Sequence, residues 1–111
     1  MTKIYYYKSD SDSHRDLTMG FSWIARECPT LLEQLKGDDI TLTHVLLEET
    51  DKEDLEEIFT WYQAENWSPY GEARELIKSK GLRHTSLHVG DIVEFDDGTR
   101  YICDNVGWNK L

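Results

Sequence analysis

At 111 residues the chain is long enough to bury one hydrophobic core and too short for a second independent one, so residues 1–111 are expected to form a single globular domain. With 39% apolar residues, four Trp, six Tyr and three Phe, the composition excludes a disordered acidic tail. The formal net charge of −10 is confined to Gly37 through Glu75, where twelve acidic side chains stand against two basic ones, and a field of that sign excludes direct nucleic-acid binding and docking on anionic membranes as first expectations.

The N-terminal MTKIYYYK lacks the apolar core of a secretion signal, and the longest aliphatic run, Val45-Leu46-Leu47, is far below membrane-spanning length, so a cytoplasmic protein is expected. Cys28 and Cys103 lie far apart and belong to no Cys-x-x-Cys pattern, which points to free thiols in a reducing compartment.

In chain order, Ile4 to Lys8 is a short β-prone run, and SDSDSHRD (Ser9 to Asp16) is a polar loop. Its Asp10, Asp12 and His14 do not make a calcium loop, because Arg15 stands where glycine is needed and Phe21 where glutamate is needed. Leu17 to Lys36 leans helical in two pieces around Pro29, with Leu31, Leu32 and Leu35 on one face and Gly37 as the stop. ITLTHVLLE (Ile40 to Glu48) alternates two faces and predicts a central strand. Asp51 is the predicted N-cap of the next helix, on which Leu55, Ile58, Phe59 and Tyr62 recur at helical spacing, and Asn66 ends it. Ser68-Pro69 caps a further helix, with Ala73, Leu76 and Ile77 inward and Gly81 as its stop. Ile92 to Phe95, Asp96-Asp97-Gly98 and Thr99 to Cys103 form a β-hairpin, and Gly107-Trp108 adds a short strand. The fold class is therefore α+β: a small antiparallel or mixed sheet ending in a hairpin, with two to three helices packed on one face.

HTSLHVGDIVEFDDGTRY (His84 to Tyr101) admits three readings. His84 and His88 have the spacing of a helical metal clip, but Gly81 has just ended a helix, and no third ligand stands beside them, so no metal or cofactor is expected. A small β-barrel would need about five strands in succession, and here two helices precede the hairpin. Third, the passage LRHTSLHVGDIVEFDDGTRYICDNVGW (Leu82 to Trp108) resembles the C-terminal signature of YodL-like domains and related small proteins of phages and mobile elements. Thr85, Ser86, Leu87, Val89, Gly90, Asp91, Gly107 and Trp108 fall in place, and LEEIF (Leu55 to Phe59) matches the family's upstream helix, with Asn66 near its usual Asn, so Leu55 to Leu111 carries the likeness. His88 stands where serine is commoner, and the segment Trp67 to Lys80 is more helical than usual. The resemblance implies a phage or mobile-element origin and no known catalytic activity. The signature residues also have a structural account as turn caps, core plugs and a tight bend whose backbone Asp91 bonds.

No Ser/His/Asp or Cys/His motif and no glycine-rich phosphate loop is present, although Cys103, His44 and Asp104 could in principle assemble from a distance. A binding surface is better supplied. With Leu55, Ile58, Phe59 and Tyr62 turned inward, Trp61 falls on the flank in register with Asp54, Glu57 and Glu65, and Trp67 and Tyr70 extend the patch. An aromatic anchor rimmed by carboxylates suits a protein partner with a basic surface. The competing readings are a solvated acidic face, a DNA mimic occupying the nucleic-acid site of a host protein such as RNA polymerase or a defence nuclease, and, last, a small enzyme.

Overall fold

Successive side chains of the first strand, β1 (Thr2–Tyr7), point to opposite faces of a sheet, and both faces find apolar partners. In the computed structural model, which describes all residues Met1–Leu111, β1 pairs with β2 (His44–Thr50) on one side and β3 (Ile92–Glu94) on the other; β4 (Arg100–Cys103) and β5 (Trp108–Lys110) follow, giving a five-stranded antiparallel sheet ordered β2-β1-β3-β4-β5. Ile4 and Tyr6 of β1, Leu47, Val93 and Cys103 pack under α4 (Leu55–Trp61), α5 (Ala64–Trp67) and α6 (Arg74–Ser79), joined by Ile58, Tyr62, Ile77, Leu82 and Leu87. Tyr7, Ile92 and Ile102 pack under α1 (His14–Leu17), α2 (Phe21–Glu27) and α3 (Pro29–Lys36), against Leu17, Ile24, Leu31 and Leu35.

The α+β class thus holds, but the helices cover both faces of the sheet rather than one. The reason lies in the strands: Ile92-Val93 and Ile102-Cys103 are buried pairs of adjacent residues, and an antiparallel strand with one wet face would alternate.

The predicted strand Ile40 to Glu48 is also corrected. Asp38–Leu42 is a 3-10 turn, with Ile40 buried and Leu42 exposed, and the strand starts only at His44. The register of β1 with β2 ends at Tyr7 opposite His44; one further backbone bond, from the Lys8 N–H to the Thr43 carbonyl at 2.8 Å, closes the pairing where the 3-10 turn takes over. A bulge follows: Ile4 faces Glu48 while Tyr5 faces Leu46, so Leu47 is the extra residue and turns into the core, leaving Leu46 outside. The C-terminal hairpin forms as expected, with Gly98 at φ +86° closing the turn, and β5 adds to its far edge. No helix is long and apolar enough to cross a membrane.

Candidate functional site

The acidic stretch places its chemistry on α4. Asp54, not Asp51, is the N-cap: its backbone is extended, and its carboxylate accepts the Glu57 N–H at 3.0 Å. Glu56 and Glu57 fill the first turn, where the helix dipole favours negative charge. Ile58 and Tyr62 are fully buried, Leu55 is half-buried, and Phe59, expected inward, lies at the margin with 37% of its surface exposed.

The helix then stops at Trp61, four residues before Glu65. Its end is taken over by the segment Arg83–Gly90: the Tyr62 carbonyl accepts the Leu87 N–H at 2.9 Å, Gln63 Nε2 donates to the carbonyls of Phe59 and Leu87, and Ser86 Oγ accepts the Ala64 N–H at 2.9 Å. Glu65 therefore lies in the first turn of a separate short helix and is not in register with Trp61, and Asn66 does not terminate α4. Ser68 is likewise no helix cap; it accepts the Ala73 N–H in a turn, and α6 begins at Arg74.

Trp61 is 44% exposed, and the Lys52 ammonium sits 4.9 Å from its ring centroid and 3.8 Å from Glu57 Oε1. Together with Glu56, Thr60 and Asn66, these residues line the largest hollow on the protein, of about 540 Å³. Two smaller hollows, about 430 and 120 Å³, bring Phe95, Tyr101 and Trp108 of the sheet against α4, and Glu56 borders all three.

Of the residues read as a partner surface, the structure brings together Trp61 and Glu57, and keeps Asp54 nearby in its capping role. Tyr70 is exposed in the turn beyond α5, its N–H bonded to Glu72. Trp67 belongs to the interior: it packs edge-on against Tyr62 at 5.2 Å and donates Nε1–H to the Thr85 carbonyl at 3.2 Å, so it is not free to anchor a partner. Sequence reasoning missed Lys52, Glu56, Thr60 and Asn66. Helical spacing carried a signal for two of them, since Glu56 and Thr60 stand four apart beside Glu57 and Trp61, and Lys52 is the one lysine between Gly37 and Glu75.

A second constellation surrounds Asp91, which is completely buried. Its Oδ1 accepts the Tyr7 N–H at 2.9 Å, its Oδ2 accepts the His88 N–H at 2.8 Å, and His84 Nε2 lies 3.0 and 2.9 Å from the two oxygens. Burial pushes the Asp91 carboxyl above the usual carboxylate range, opposed by the His84 imidazole and the two backbone donors. The His84 ring lies against Tyr6 and Tyr7 at 4.5 and 4.4 Å, and its Nδ1 is buried without a partner. None of the surface hollows reaches this pair.

The remaining signature residues do similar work. Leu87 is buried, Val89 half-buried, and the Thr85 carbonyl accepts the Tyr6 hydroxyl at 2.7 Å. Gly90, at φ +99°, presses against Leu17, whose carbonyl oxygen would lie 3.0 Å from an added Cβ. Gly107, at φ +70°, turns the chain so that Trp108 pairs with Cys103. His84 and His88 have ring centroids 6.3 Å apart, and no group of three or more His, Cys, Asp or Glu side chains is placed to hold a metal.

Cys103, His44 and Asp104 do not assemble into a triad. Both His44 nitrogens are committed, to Thr43 Oγ1 at 2.8 Å and the Gly90 carbonyl at 2.7 Å, and burial pushes the Cys103 thiol up to about 12. Asp104 bonds the Phe21 and Asn105 N–H groups and Asn109. Cys28 and Cys103 are both free thiols. No protein-family model matches the chain, and neither a curated protein nor a solved structure shows significant similarity to it.

Proposed function

We propose that this chain is a non-catalytic binding protein that engages a basic surface on another protein through the outward face of α4. The observation that carries this reading is Trp61, a large aromatic left 44% exposed in a hollow walled by Glu56 and Glu57. Tryptophan is a frequent anchor in interfaces, where its indole is desolvated and surrounding charges set orientation and encounter rate. The resemblance of Leu82–Trp108 to YodL-like domains adds the origin: a small accessory protein of a phage or mobile element, acting in the bacterial cytoplasm to modulate a host or phage protein.

The test is affinity capture from bacterial lysate with a photo-crosslinking residue in place of Thr60, comparing the parent with a Trp61→Ala variant. The expected result is one dominant partner whose yield collapses in Trp61→Ala while the variant remains folded by circular dichroism. Undiminished capture by folded Trp61→Ala refutes the surface. A partner displaced by duplex DNA, with losses that accumulate as each carboxylate is neutralised, would instead identify a DNA mimic.

A further inference from the structure

The Trp61 hollow already holds a cation, and it is the protein's own. Lys52 reaches from the loop between β2 and α4, its N–H bonded to Thr50 Oγ1 at 3.4 Å, and lays its ammonium 4.9 Å from the indole centroid and 3.8 Å from Glu57 Oε1. Its side chain is only 22% exposed, whereas that of Glu57 is 60% exposed, so the lysine lies along the hollow while the carboxylate still faces solvent. The other lining residues, Glu56, Thr60 and Asn66, each carry a side-chain oxygen, and Asn66 Nδ2 also donates to the Thr60 carbonyl at 2.6 Å. An aromatic face with two acidic and two neutral oxygen-bearing residues around it makes an environment for one positively charged, partly apolar side chain. At about 540 Å³ the hollow has room for more than the ammonium now in it.

We infer that this hollow is a slot for an arginine side chain of the partner, and that Lys52 is its displaceable internal occupant. The inference rests on the partner-binding reading of α4 and specifies its chemistry. Arginine fits better than lysine because its planar guanidinium can stack on the indole and still donate in a fork to Glu57, and it is more weakly hydrated than an ammonium. Lys52 competes with the incoming cation, and that gives a sign no generic acidic patch would give: removing a positive charge from the protein should strengthen binding beyond what an ordinary, distant charge would do, and only while Trp61 is present.

The measurement is an NMR titration of the folded protein, following the Trp61 indole N–H, with N-acetyl-arginine amide as probe and N-acetyl-citrulline amide as its neutral isostere. Arginine should shift the Trp61 indole and citrulline should not. Lys52→Gln should tighten arginine binding by about two- to five-fold, the scale of one exposed cation–aromatic contact, and Lys52→Met should act the same way. Glu57→Gln should weaken it, and in a Trp61→Leu background, followed by the backbone N–H of Thr60 beside the hollow, Lys52→Gln should lose its effect. Equal responses to arginine and citrulline, or arginine binding unchanged or weakened by both Lys52 variants, overturn the slot. If Trp61→Ala abolishes lysate capture while the Lys52 variants leave arginine binding unchanged, the partner surface stands and the slot falls; capture undiminished by Trp61→Ala overturns both.

Discussion

Replacing Asp91 should be among the most damaging single changes available to this protein, and its conservative variant should not be conservative. The carboxylate is fully buried and takes the Tyr7 N–H on one oxygen and the His88 N–H on the other, with His84 Nε2 within 3.0 Å of both. Asp91→Ala leaves two backbone donors and an imidazole without an acceptor. Each backbone orphan costs about 1–3 kcal/mol, so the loss from the two backbone donors alone is about 2–6 kcal/mol. Relief of the buried charge offsets part of this, since burial has already raised the carboxyl's pKa, and a net loss of about 3 kcal/mol is expected. Asp91→Asn keeps the shape, but either amide orientation sets its NH₂ against one of the two backbone N–H groups, so a loss of about 2 kcal/mol is expected there too. Urea unfolding followed by tryptophan fluorescence and far-ultraviolet circular dichroism, with unchanged m-value, gives both numbers. An Asp91→Ala loss below about 1 kcal/mol, or Asn indistinguishable from the parent, would refute the reasoning.

Burial lowers the pKa of His44 from 6.5 to about 4, against the raising effect of its bond to Gly90. The unfolded chain therefore takes up this proton before the folded one does, so the group's contribution is complete above pH 6.5 and is lost as pH falls toward 4, by roughly 3 kcal/mol in all; His44→Gln should flatten that part of a stability–pH curve. Gly90→Ala combines a φ of +99° with a Cβ 3.0 Å from the Leu17 carbonyl and should cost about 2 kcal/mol or more, whereas Gly98→Ala, at φ +86° in open space, should cost about 1 kcal/mol in the same urea assay. Trp67→Phe should lower stability by about 1 kcal/mol through loss of its bond to Thr85, while Trp61→Ala should leave stability within about 0.5 kcal/mol, so the thermal midpoints separate the interior tryptophan from the surface one.

Local sequence was enough for features whose causes are local. The Asp-Gly turn, the strand-prone Ile4 to Lys8, the break at Pro29 and the recurrence of Leu55, Ile58 and Tyr62 each depend on a few neighbouring residues, and each appears in the structure. The confinement of charge to Gly37 through Glu75, and with it the sign of the surface around Trp61, was legible for the same reason. A signal for two covered faces was also present, in the adjacent buried pairs Ile92-Val93 and Ile102-Cys103, but it is short enough to pass for one half-buried strand. Long-range partners decided the rest. Helix α4 ends at Trp61 because Leu87 and Ser86 supply its next hydrogen bonds, and β2 begins at His44 because its register with β1 ends at Tyr7, with only the Lys8–Thr43 backbone bond beyond. Trp61 and Trp67 have the same side chain six residues apart, yet one is held inside by Thr85 and Tyr62 while the other lies at the surface under the Lys52 ammonium. Asp91 reaches Tyr7 across 84 residues of chain. Periodicity specifies which side of an element is apolar; where that element stops, and which polar groups meet across it, depends on hydrogen-bonding partners that only the folded chain brings within 3 Å.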